Sequence, residues 1–332
     1  VGHRQEATRW MRQWLYNDSS PVTEPKDIRL FTDAELQVTR TGQVHNDFLD
    51  EANVADISLR LANRLETKRR HFWASNPAKA LAKVRKLIGL PENLPQPRVE
   101  RGGQAQTNWA RIDKFTLQRP GDMPVPALLF RPPGNTSQAL DVVVYADGRG
   151  MRSAAHVNGP IRKLVNESTA VFAVDLRGLG ETRDQGSNAK YHSHSHRVGN
   201  VATHIGQPLL GQRVCDLLSV VDYLNQVGSE RVRSIRMIGV GSAGPVALHA
   251  AALDARISKV ELRNPALNSW VDDVVAQPLH REMVDHVVPG ALTWYDLPDL
   301  ARQLGARIAR HTLVTDVTQL PDGRWQVTTQ TG

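Results

Sequence analysis

The sequence predicts an α/β fold: a doubly wound, mostly parallel sheet, with an N-terminal helical extension and a C-terminal β-hairpin. Three observations carry this expectation. Between residues 109 and 300, short strand-like apolar runs alternate with helical stretches, the pattern of parallel strands joined by crossover helices. One such unit, RSIRMI, GVGSAGP and VALHAAALD (233–254), reads strand, tight turn, helix. Near the end, Leu-Pro-Asp-Gly separates two β-rich runs, which is a hairpin signal.

Each element follows from its local pattern. HRQEATRWMRQWLY (3–16) places Trp10, Met11, Trp14 and Leu15 on one helical face, and NDSSPVTEP stops that helix. A polar connection runs to about residue 50. DISLRLANRLETKRRHFW and NPAKALAKVRKLIGL read as amphipathic helices, the second closed by Gly89 and Pro91. PENLPQPRVERGGQ reads as a linker.

RIDKFTLQR and PVPALLFRP read as strands joined at Pro-Gly-Asp. VVVYADGRG and TAVFAVDLRGLGET are strands with glycine-bearing exits, QRVCDLLSVVDYLNQVG is a helix, and KVELRNPAL is a further strand. The tail, DLARQLGARIARHTLVTDVTQLPDGRWQVTTQTG, is a helix and two strands. The expected organisation is a helix over 1–20, a connecting helical region and linker over 21–108, and the sheet domain over 109–332.

Composition narrows the function. The 332 residues carry 41 Lys and Arg against 34 Asp and Glu, a net charge of +7, but the charges are interspersed. Basicity without a patch argues against nucleic acid. No apolar run approaches the roughly 18 residues of a membrane span. The single cysteine, Cys215, excludes an intramolecular disulfide framework and suits packing within its helix. In YHSHSH (191–196) three imidazoles alternate. No nearby carboxylate or cysteine cluster completes a metal set, so the segment reads as a solvated loop. Neither a metal nor a cofactor is expected.

The chemistry gathers on GVGSAGP (239–245). A serine nucleophile on a strand-to-helix turn needs small neighbours, usually as Gly-x-Ser-x-Gly. Around Ser242, Gly244 fits, whereas Val240 stands two residues before and Gly241 directly before. The same letters read as G-x-G-x-x-G with Glu261 as the acidic partner, but the unit comes late in the domain, which favours the elbow. A tight turn with an inert serine is the plainer alternative. An oxyanion hole would take the N–H of Ala243 and one from the loop after VVVYA, Gly148-Arg149-Gly150. DLRGLGET (175–182) would line the same end of the sheet, with Arg177 and Glu181 pinning that loop.

Residues about 109–300 resemble the α/β-hydrolase superfamily, in its acetyl-xylan-esterase-like and dienelactone-hydrolase-like branch. The carrying segments are PVPALLFRPPG, VVVYADGRG, AVDLRGLGET, GVGSAGPVALHAAALD and YDLPDL (295–300). The resemblance implies a carboxylic-ester hydrolase working through an acyl-enzyme, with a small-molecule or carbohydrate ester as substrate. It places Ser242 as nucleophile.

The family order is Ser, acid, His, and this chain departs from it. Asp316 in HTLVTD is the positional acid, with Asp272 and Asp273 as runners-up, yet no histidine follows Asp316. His280 and His286 could serve only with Asp272 or Asp273; His311 opens a strand, and His249 lies on the elbow helix. VGHRQEATRWMRQWL resembles the Gly-His turn and closing helix of a hydrolase domain, as in tandem proteins. His3 then belongs to a missing upstream domain, folds back as Ser242–His3–Asp316, or is simply a frayed terminal residue of the helix. LGARIARHTLVTDVTQLPDGRWQVTTQTG resembles a strand pair of FAD-dependent oxidoreductases, without a Gly-rich fingerprint opening the chain. The incomplete triad keeps a second function in view: a catalytically inactive hydrolase-like domain with a structural or binding role.

Overall fold

The computed structural model describes residues 2–134, 139–166, 168–184, 195–227, 231–277 and 283–305, and the backbone of 312–319 and 325–331. The chain divides into two compact units, Val1–Asn53 and Val54–Gly332. The first holds α1 (Gly2–Tyr16), α2 (Asp33–Leu36) and α3 (Val44–Asp47). Its second helix starts at a capping box, in which Thr32 accepts from the Glu35 N–H and Glu35 from the Thr32 N–H.

The second unit opens with α4 (Val54–Ser75) and α5 (Pro77–Leu87). A seven-stranded sheet follows, in the order β1-β2-β3-β5-β4-β6-β7. Its strands are β1 (Arg98–Gln106), β2 (Arg111–Gln118), β3 (Val125–Arg131), β4 (Leu140–Asp147), β5 (Thr169–Val174), β6 (Val232–Val240) and β7 (Ile257–Arg263). β1, β2 and β3 form an antiparallel meander, and β3 pairs antiparallel with β5. β5, β4, β6 and β7 are mutually parallel. The crossovers carry α6 (Pro160–Leu164), α7 (His196–His204), α8 (Leu209–Val227) and α9 (Ala243–Leu253), and α10 (Met283–His286), α11 (Ala291–Trp294) and α12 (Leu297–Gln303) come after β7. β8 (Thr312–Gln319) and β9 (Trp325–Thr331) pair only with each other, as the Leu-Pro-Asp-Gly turn predicts.

Strand periodicity sorts the core. Val142, Val144 and Ala146 of β4 join the larger apolar cluster beneath α8 and α9, while Val143 and Tyr145 join the smaller one with Met151 and Ile161. Successive side chains leave a strand on opposite faces, so one strand feeds both cores.

Two expectations change here. Residues 98–106, read as linker, form β1 in register with β2. A polar, glycine-containing segment can still serve as an edge strand, because its ladder needs only backbone groups. The helices read as a connecting region also belong to the core, since Trp73, Ala80, Val84 and Ile88 are buried in the larger cluster. Amphipathic periodicity shows that a helix has an apolar face, not which sheet that face covers.

Candidate active site

β6 delivers its last residue, Val240, to the carboxyl end of the sheet beside Asp147, its register partner on β4. Gly241 then takes φ +58°, a conformation in which an ordinary side chain is strained. Its N–H donates to the Arg263 carbonyl, and its carbonyl accepts from Gly244 and Ala266. Ser242 follows in ordinary helical geometry (φ −66°, ψ −16°), and α9 begins at the buried Ala243. The turn is as sharp as the glycines suggest, and its left-handed residue is Gly241. A Cβ built on Gly241 would point into open space.

The loop after β4 lies directly against this turn. A Cβ on Gly148 would collide with Ser242 Oγ and stand 2.8 Å from the Ser242 backbone nitrogen. Only glycine permits that approach. The loop also consumes its own donors. Gly148 N–H donates to the Val240 carbonyl (3.0 Å), and Gly150 N–H to the Asp147 carbonyl (2.8 Å). Arg149 N–H donates to the Asp147 carboxylate (2.9 Å).

Asp175, at the end of β5, ties the two loops together. Its carboxylate accepts from the N–H of Met151 at 2.6 Å and of Glu181 at 2.8 Å. Burial pushes its carboxyl above the ordinary range, with the two N–H groups pulling the other way and Glu181 and Asp147 adding repulsion. Arg177 pins the second loop to α8: its Nη2 donates to Asp216 at 2.5 Å and to Asp122 at 2.9 Å. Burial works against that guanidinium's charge, and the two carboxylates outweigh it, holding its pKa above the usual value. Glu181 joins the pinning through its backbone.

The remaining predicted residues each have surroundings of their own. His3 is an exposed residue of α1, in the Val1–Asn53 unit. Asp316 lies on β8, a strand of the separate hairpin rather than the end of a strand in the large sheet. Asp273 accepts from the N–H of Asn268 and Ser269, and Asp272 lies with it in a short π-helical turn (Val271–Val275). His286 is fully buried in α10, where its carbonyl accepts from Trp270 Nε1. His249 is fully buried on α9, with Nδ1 at 2.7 Å from the Pro245 carbonyl and Nε2 at 3.0 Å from Tyr295 Oη. Burial lowers its pKa to about 4, so it stays neutral. Glu261 pairs with Arg263 on β7 at 2.7 Å. His280, His311, and His192 and His194 of the alternating run fall outside the described residues. No side chain among the described residues hydrogen-bonds to Ser242 Oγ.

Two buried carboxylates escaped the sequence reading. Asp175 was seen only as part of a loop. Asp296, wholly buried, accepts from Ser269 Oγ (2.7 Å) and the N–H of Trp270 (2.8 Å) and Leu297 (2.8 Å). An Asp followed by Leu-Pro is a helix-start signal; its bonds to residues 269 and 270 leave no local trace.

The fold resembles known structures. A candidate acetyl xylan esterase from Bacteroides fragilis superposes with TM-score 0.57 at 16% identity, over 86% of this chain and 75% of that one. The fold is of the α/β-hydrolase type, as in that structure. Acetyl xylan esterase 1 from Thermoanaerobacterium sp. gives TM-score 0.46 at 16% identity, over 70% of this chain and 75% of its own. A glucuronoyl esterase from Solibacter usitatus gives 0.40 at 14% identity, over 57% of each chain. These neighbours are carboxylic-ester hydrolases by name. No protein-family model matches the sequence, and no curated protein matches it.

Proposed function

We propose that this protein is a carboxylic-ester hydrolase acting on a small-molecule or carbohydrate ester, with Ser242 as nucleophile. The observation that carries this reading is the contact between Gly148 and Ser242. It sets a hydroxyl and a glycine loop against each other at the carboxyl end of a parallel sheet, where open α/β sheets bind ligands. In the reaction Ser242 Oγ attacks the acyl carbon and the alcohol leaves with the serine proton. Water then cleaves the acyl-enzyme and restores the hydroxyl. Ala243 N–H and the Gly148-Arg149-Gly150 loop are the proposed oxyanion donors; the loop's N–H groups must release their internal partners to serve. Asp316 is the proposed acid.

A second reading, a catalytically inactive hydrolase-like domain with a structural or binding role, rests on one specific observation. The strained position of a nucleophile elbow is filled by Gly241, and Ser242 is an ordinary first-turn residue with no hydrogen bond to Oγ among the described residues. On this reading Ser242 corresponds to the residue after the nucleophile, and its N–H, close to Gly148, to the oxyanion donor.

Fluorophosphonate labelling and p-nitrophenyl acetate hydrolysis separate the two. If Ser242 is the nucleophile, the wild-type chain labels and Ser242→Ala loses at least about 10³-fold in turnover. Identical behaviour of the two chains sinks the hydrolase reading and leaves the inactive domain.

A further inference from the structure

A cavity of about 310 Å³ lies at the opposite end of the sheet from Ser242, lined by Leu140 of β4, Ala170 of β5 and Val232 of β6. β4 runs from Leu140 to Asp147, so at about 3.3 Å per residue the two sites stand roughly 20 Å apart. Nothing in the ester-hydrolase reading uses this cavity.

Its walls combine cations with aromatic rings. Arg101 of β1, Arg111 of β2, Arg131 of β3 and Arg231, just before β6, line it, and Asp113 is the one carboxylate among its described lining residues. Arg111 and Arg131 are direct cross-strand partners, an arrangement of like charges that costs stability unless an anion lies between them. Asp113 fills part of that need: it accepts from Arg131, stands 3.6 Å from Arg111, and takes a bond of 2.7 Å from Gln104. The Nε groups of Arg111 and Arg131 are buried without hydrogen-bond partners. Four guanidiniums stand against one described carboxylate, an excess of positive charge. The floor is Phe115 and Tyr223, with ring centroids 5.4 Å apart, and the Arg101 guanidinium lies 5.9 Å from the Phe115 centroid.

We propose that this cavity binds an aromatic phosphate monoester, its dianion held by Arg101, Arg111 and Arg131 and its ring laid on Phe115 and Tyr223. Guanidinium forks match phosphate oxygens in pairs. A dianion offsets more of that excess than a simple carboxylate does. The volume suits a single-ring ligand, at the lower end of small-molecule sites.

Calorimetric titration of the full chain at low salt tests this with four probes: phenyl phosphate, inorganic phosphate, benzoate and phenol. Phenyl phosphate should bind at least roughly tenfold more tightly than any of the other three, since each lacks the ring, a charge or the phosphate. Arg101→Gln, an exposed change that leaves the Asp113 pairs in place, should weaken phenyl phosphate by roughly tenfold. Its unfolding midpoint and fluorophosphonate labelling should match the wild type. Equal binding of inorganic and phenyl phosphate would mean an adventitious ion only and overturns the proposal, as does an Arg101→Gln affinity equal to wild type, or no heat with phenyl phosphate. The readout is binding, so its failure is independent of the ester-hydrolase reading.

Discussion

Gly148 is the residue on which the site's geometry turns. The strand VVVYA and its glycine exit announced a loop near Ser242, but the van der Waals approach of the two residues is a product of β4 and β6 lying side by side. Gly148→Ala should displace Ser242, because the added methyl would occupy the space of its Oγ. If Ser242 is the nucleophile, labelling should fall by about 10²-fold, the scale of a misplacement near 1 Å, with little change in circular dichroism. Unchanged labelling would show that Oγ takes no part. The Ser242 turn itself was legible, since small residues between an apolar run and a helix have few other uses. That Gly241, rather than Ser242, adopts the positive φ was not, because three of the turn's residues are glycine and the pattern fits more than one register.

Among the elements, the loop after β5 shows how a short motif gains meaning from its partners. DLRGLGET is held at both ends, by Asp175 gripping its backbone and by Arg177 gripping α8. Asp216 is 1% exposed, so removing its cation leaves a buried charge uncompensated. Arg177→Met should therefore destabilise the protein by about 3–5 kcal/mol, read as a lower urea midpoint. A loss under about 1 kcal/mol would show that Asp216 is served by other groups. The sequence suggested that Arg177 pins this loop, but the identity of Asp216 and Asp122 required the fold, as they lie 39 and 55 residues away. β1 teaches the converse: a segment with linker composition became a strand because β2 offered it an edge.

At the scale of the whole molecule, one buried imidazole should tune stability with pH. His249 titrates near 6.5 when unfolded and near 4 when folded. Below 6.5 the unfolded chain takes up a proton that the folded chain refuses, so stability falls as pH drops from 6.5 to about 4 and levels off beneath. The loss is at most about 3 kcal/mol. Urea titrations of wild type and His249→Phe over that interval check it; the variant, though less stable at neutral pH, should lack this decrement, and parallel curves would refute it. By itself the sequence determined the α/β class, the strands from Arg111 onward, the strand-to-helix turn at Ser242 and the terminal hairpin. Each follows from periodicity and turn residues within a window of about twenty positions. Only the tertiary structure decided which strands adjoin, that α4 and α5 belong to the core, that Gly148 touches Ser242, and that four arginines share a cavity with two aromatic rings. Those are contacts between residues distant in sequence, and chain folding fixes them through packing and backbone pairing that no local window contains.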